Sequence, residues 1–187
     1  MRLARRSLLA VLGGIAGGLG LRSTEAVAAS ANTINTGADQ ALRALYAAHP
    51  KARELAQRAK AILIFPKIIK AGLIVGGQGG DGVLRVGGKA VGYYNIAAGS
   101  FGLQAGAQRF SYALFFMNDA ALDYLKKSDG WAIGSGPSVV VVDKGAAGSL
   151  TSTTLGQDVY AFPFGQRGLM AGLGLEGSKI TPIHPGR

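Results

Sequence analysis

Seven cations fall within one short stretch of the chain: Arg43, Lys51, Arg53, Arg58, Lys60, Lys67 and Lys70. Glu54 is the one acid among them, so residues 43–70 carry a local charge of +6. Residues 71–187 hold nine basic and seven acidic residues, a balance of only +2. A concentrated positive field of this kind attracts phosphate or carboxylate, and a basic segment beside an anionic bilayer gains ~1 kcal/mol per Lys or Arg near the surface. The competing reading is a solvated helix face, with Glu54 and Arg58 paired at i, i+4. Nucleic acid competes on charge alone, but no aromatic RNA-binding signature accompanies the charge, so no nucleic-acid partner is expected.

The remaining chemistry-bearing types are sparse. The chain has no Cys, which excludes a thiol nucleophile, a disulfide and a cysteine zinc or iron–sulfur site. It has two His, His49 and His184, too little for a histidine metal centre. His49 precedes a proline where two helices should meet, which suits a cap or a surface residue better than a base. Asp119 and Asp123 lie four apart on one helix face, and no second element sets a catalytic separation. Gly77–Gly82 and Gly172–Gly177 each contain G-x-G-x-x-G. Phosphate binding by that motif needs a helix directly after the glycines. Val83-Leu84-Arg85-Val86 and Ser178-Lys179-Ile180-Thr181-Pro182 follow instead. No G-x-S-x-G elbow occurs. The sequence therefore predicts no enzyme, no cofactor, no catalytic residue and no metal.

The elements that must position the cations follow an export segment. Residues 1–28 join a basic head (Arg2, Arg5, Arg6), a glycine-diluted apolar run from Leu8 to Leu21 and a small-residue exit at Ala26-Val27-Ala28. The run is too short to span a bilayer, which takes ~20 residues. Arg5-Arg6-Ser7-Leu8-Leu9 resembles a bacterial twin-arginine signal, cleaved after residue 28 or 31. Sixteen Lys/Arg and nine Asp/Glu lie beyond residue 28, a net +7.

Apolar spacing predicts a helix over 34–48, with Ala38, Ala41, Leu42 and Leu45 on one face, and a second over 51–60 opened by Pro50. Ile62–Phe65 reads as a short strand that Pro66 ends. Beyond it the chain is β-rich. Strands are expected near 68–77, 82–86, 89–95, 99–108, 110–117, 131–134, 138–143, 146–154, 158–164 and 168–177. Turns are expected at Gly79–Gly82, Gly87-Gly88, Ser128–Gly130 and Gly134–Pro137. One further helix, near 118–127, is capped by Asn118 or Asp119 and lined by Ala121, Leu122 and Leu125. Many of the 30 glycines recur inside the expected strands, where they indicate tight curvature or close approach.

Ile62–Lys67, Lys70–Gly77, Ser100–Gln108, Asp129-Gly130-Trp131, Ser138–Asp143 and Gly168–Gly177 occur in an order that resembles the SYLF domain. The resemblance covers about residues 35–181. It implies a single lipid-binding module whose basic, amphipathic amino-terminal region contacts phosphoinositides in eukaryotic members. Some yeast members bind actin, but the partner domains beside many eukaryotic members are lacking here, so actin binding is not expected. The expected architecture is α+β: amino-terminal helices packed on, or plugging, a strongly curved, mainly antiparallel or barrel-like sheet. One domain over 32–181 and a tail over 182–187 are expected. The expected activity is non-catalytic binding of anionic lipid headgroups at a periplasmic membrane face. Lys51, Arg53, Arg58 and Lys60 would make the contacts, with Lys67 and Lys70 near the rim. The alternative is an envelope interaction module whose basic face meets an acidic protein or polysaccharide.

The export reading has a direct test. Replacing Arg5 and Arg6 together by Lys should leave the protein in the cytoplasm, because the twin-arginine receptor reads paired guanidinium groups. Unchanged periplasmic delivery in cell fractionation would point to a general secretory signal.

Overall fold

A computed structural model describes residues 29–72, 75–101, 106–142, 156–168 and 177–186. Helix α1 spans Ala31–Ala48. Ser30 caps it, its Oγ accepting the Thr33 N–H at 3.3 Å, which satisfies one of the unpaired amides of the first turn. Its buried stripe is Ile34, Ala38, Ala41 and Leu45. The helix thus begins three residues before the expected start, and Leu42 sits at the stripe's edge, only half-buried. Helix α2 spans Pro50–Arg58, with Pro50 in its first turn. The connecting residue, His49, is buried. Its N–H closes α1 on the Leu45 carbonyl at 2.8 Å, and its carbonyl accepts the Ala52 N–H at 3.0 Å.

Among the described residues eight strands follow: β1 Ala61–Gly72, β2 Val75–Val86, β3 Lys89–Phe101, β4 Gly106–Phe116, β5 Trp131–Ala132, β6 Val139–Val141, β7 Val159–Gly168 and β8 Lys179–Ile183. Helix α3, Asp119–Lys127, lies between β4 and β5. Asn118 caps it by accepting the Ala121 N–H at 2.8 Å. One sheet forms in the order β5-β8-β3-β2-β1-β4-β7-β6. Every pairing is antiparallel except β6 with β7, which is parallel.

The sheet is strongly curled. Trp131 on β5 and Phe116 on β4 are five strand steps apart in that order. In a flat sheet this is ~24 Å at the usual strand spacing. Their ring centroids are 6.0 Å apart. The concave face closes over its own side chains: Leu63, Phe65, Ile68, Tyr112, Leu114 and Phe116, sealed by Leu122 and Leu125 of α3. The convex face presents Ile64, Ala113, Phe115, Tyr160 and Phe162 to α1 and α2. The amino-terminal helices therefore pack on the sheet and do not plug it.

Three expected breaks lie inside continuous strands. Pro66 does not end β1. It sits where the pairing register with β2 and β4 shifts, the kind of irregularity that tolerates a residue without an N–H. Its carbonyl accepts the Ser111 hydroxyl at 2.8 Å. Gly79-Gly80-Asp81-Gly82 is not a turn but the middle of β2. A Cβ on Gly82 would lie 2.5 Å from the Ile64 carbonyl oxygen, and one on Gly80 would overlap the Lys67 carbonyl. Glycine is required here so that β2 can follow the bend in β1. Third, β8 runs to Ile183, with Pro182 opposite Tyr94 and Ile183 opposite Tyr93, so both residues belong to the sheet and not to a tail. Gly87 and Gly88 do form a turn, both with positive φ (55° and 80°), as a two-residue hairpin loop favours. The strand expected at 146–154 lies outside the described residues, as does nearly all of that expected at 168–177.

The glycine contacts predict an asymmetric response to added methyl groups. Gly82→Ala should destabilise the fold by about 1–3 kcal/mol through overpacking against fixed backbone. Gly99 faces open space, so Gly99→Ala should shift stability by no more than about 0.5 kcal/mol. Urea denaturation of the two variants measures the contrast.

Candidate functional site

Helix α2 divides its residues cleanly. Ala52 and Leu55 are buried against the sheet. Lys51, Arg53, Glu54, Gln57 and Arg58 face solvent, followed by exposed Lys60. Lys51 pairs with Glu54 at 2.9 Å and Lys60 with Asp119 at 3.5 Å, all four side chains more than half exposed. Such pairs are worth ~0–1 kcal/mol and open readily. Arg53 lies over the Tyr46 ring, 5.7 Å from its centroid. Burial pushes the Tyr46 phenol above its ordinary range, with Arg53 opposing the shift. Glu54 binds Lys51 rather than the Arg58 that i, i+4 spacing offers.

A polar clasp ties α1 to the sheet. Arg85 of β2 donates to the Asp39 carboxylate and, at 3.2 Å, to the Asn35 carbonyl. Asn35 in turn donates to the Tyr93 hydroxyl at 2.9 Å. The Arg85 side chain is only 14% exposed, so removing Asp39 would leave a largely buried cation without its counter-charge. The hydrogen bond from Arg85 holds the Asp39 carboxyl below the usual carboxylate range, against the opposing effect of desolvation. A second clasp joins α3 to the sheet edge. Asp158 accepts the Ser138 N–H and hydroxyl, each at 2.8 Å, and the Asn118 amide at 2.7 Å. Those bonds, the Ser138 N–H foremost, lower its carboxyl in the same way.

The structure does not bring all six predicted residues together. Lys51, Arg53, Arg58 and Lys60 share one end of the sheet. Lys67 and Lys70 lie six and nine residues along β1 from Ala61, ~20 and ~30 Å away at strand rise. They also diverge. Lys67 lines an outer groove beside α1. Lys70 is paired across strands with Gln78 and Gln108, so it shares the concave side with Gln108, which is buried.

Two cations that sequence reasoning missed join Lys67. Arg109 of β4 stands directly opposite Arg167 of β7, and both line the same groove. Each is isolated in sequence and sits in a strand of otherwise neutral residues, so no charge run marks them; only strand register does. Among the described residues, His49 and His184 join no metal-binding cluster. His49 packs at a tilt on Phe162, 6.2 Å between centroids, and Asp119 and Asp123 are surface partners of Lys60 and Lys127. The first G-x-G-x-x-G lies within β2, and the second, from Gly172, lies almost wholly outside the described residues.

Residues 97–184 match the family model Ysc84, described as Las17-binding protein actin regulator. Over those residues the chain matches the SYLF family. The matched stretch runs from the second half of β3 through β8 and takes in Arg109 and Arg167, whereas the cations of α2 and β1 precede it. No curated protein matches the chain. No described helix is long and apolar enough to cross a membrane.

The two carboxylate clasps give the fold an acid limit. Both carboxyls are depressed in the folded state, so their contribution is complete above the unfolded value of about 3.9 and is lost as pH falls through the folded values. Urea midpoints should be flat from pH 7 to about 5 and fall below that. Asp39→Asn with Asp158→Asn should lower the plateau and flatten the acid limb. An unchanged acid limb would place the linkage elsewhere.

Proposed function

We propose that this SYLF protein is a non-catalytic binder of anionic lipid headgroups, acting as a peripheral protein at a membrane face of the bacterial envelope. The observation that carries the reading is the division of α2. Its apolar residues are already spent on the sheet, and what remains outside is Lys51, Arg53 and Arg58, continued by Lys60. Such a helix has no apolar wedge left to insert. It adsorbs by charge, with ~1 kcal/mol per cation near the surface. The weak pairs to Glu54 and Asp119 can exchange for lipid phosphates at little cost. Export through residues 1–28 would deliver the protein to anionic phospholipid or lipid A.

Liposome sedimentation tests this. The purified protein should co-sediment with vesicles containing anionic phospholipid and not with purely zwitterionic ones. Added salt should weaken the binding as the Debye length shrinks from ~8 Å at physiological ionic strength. Replacing Lys51, Arg53, Arg58 and Lys60 by Ser should weaken it about tenfold or more without altering the thermal midpoint, since all four are exposed. Undiminished sedimentation of the quadruple variant would overturn the assignment. Equal binding to an acidic polymer such as polyglutamate would favour the envelope interaction module instead.

A further inference from the structure

The outer groove between α1 and the bulged ends of β1, β4 and β7 has a volume of about 850 Å³. Its composition is that of an amphiphile's mould. Ile34 and Ala41 of α1, with Pro66 and Phe164 of the sheet, supply apolar walls. Ile69, also lining it, is 49% exposed despite being a large aliphatic residue. Lys67, Arg109 and Arg167 supply charge.

The charge is unusually placed. Arg109 has Ile69 opposite it on one side and Arg167 on the other. Residues directly opposite in an antiparallel pair have their Cα atoms ~4.5–5.5 Å apart, and like charges so placed repel. Among the described residues no carboxylate pairs with Lys67, Arg109 or Arg167. Asp81 also lines the groove, but its carboxylate accepts from Asn95 at 2.8 Å. Two arginines in register on neighbouring strands can present forked donors to one tetrahedral oxyanion. A phosphate seated between them would remove the repulsion and leave an attached chain lying toward Ile69 and the apolar wall.

We infer that this groove holds one molecule of a phosphorylated amphiphile, its phosphate between Arg109 and Arg167 with Lys67 alongside and its alkyl chain on the Ile69 side. The inference rests on the reading of the protein as an anionic-lipid binder. It adds a second site that takes a single lipid molecule, separate from the α2 surface that adsorbs to a bilayer.

Isothermal titration with decyl phosphate below its micelle concentration tests the site, with inorganic phosphate and the neutral amphiphile decyl maltoside as comparisons. Decyl phosphate should bind with one-to-one stoichiometry, and both comparison ligands should be weaker by about tenfold or more. Arg109→Gln with Arg167→Gln should weaken decyl phosphate about tenfold or more, in keeping with loss of charge-assisted bonds. Ile69→Glu, which sets a carboxylate beside Arg109 at an exposed position, should do the same and provides an independent variant. The α2 quadruple variant should bind decyl phosphate as the parent does. Parent-like binding by both groove variants, or maltoside binding equal to that of decyl phosphate, would overturn the inference. Equal binding of inorganic phosphate would reduce the site to one for a free anion and overturn its lipid assignment. If the parent sediments with anionic vesicles but does not bind decyl phosphate, the groove inference fails and the α2 reading stands; if it does neither, both fail.

Discussion

The fold depends on two backbones approaching more closely than side chains allow. At Gly80 and Gly82, β2 lies against the carbonyl groups of β1 where a Cβ would collide. That approach lets the central strands bend together at the register shift around Pro66. With the bend, eight strands curl until β5 meets the aromatic layer of β4. Without it, the concave side chains would face water, and a sheet this size would need another layer to cover them.

The curl sorts the rest of the molecule. Its inner face is filled by the sheet's own aromatic and aliphatic side chains and needs only the short α3 as a seal. Its outer face remains apolar over β1, β4 and β7, and α1 and α2 cover that patch. Covering it uses up the apolar stripe of α2, which turns its cations outward. The same bend leaves α1 standing off the far end of the strands, and the groove with Arg109 and Arg167 opens there. Both cationic surfaces are therefore consequences of one geometric constraint, and they differ in kind: the first is a helix face, the second a groove lined by both apolar and cationic residues.

Much of this was legible in the chain. Helical spacing marked the buried faces of α1, α2 and α3 because local periodicity follows burial. Pro50, Asn118 and Gly87-Gly88 marked boundaries because each has a local backbone consequence. Strand interiors were harder. Gly79–Gly82 has turn composition, and its role in β2 comes from a neighbour more than ten residues away in sequence. Pro66 misled for the same reason: whether a proline ends a strand depends on whether a bulge receives it. The α2 part of the site was visible as a charge run. The separation of Lys67 and Lys70 from it, their placement on opposite faces, and the Arg109–Arg167 pair all follow from register, which no local pattern encodes.

If the solvent side of α2 is what meets an anionic membrane, a probe placed there must sense vesicle charge. The absence of native Cys permits a single reporter thiol at Gln57, an exposed neutral residue among the α2 cations. A second, at exposed Ala132 on the edge strand β5, serves as the distant comparison. Each would carry an environment-sensitive fluorophore and be titrated with anionic and with zwitterionic vesicles. A blue shift is expected at position 57 with anionic vesicles alone, reversed by salt, and none at position 132. Equal responses at the two positions, or a response at 57 that ignores vesicle charge, would contradict it.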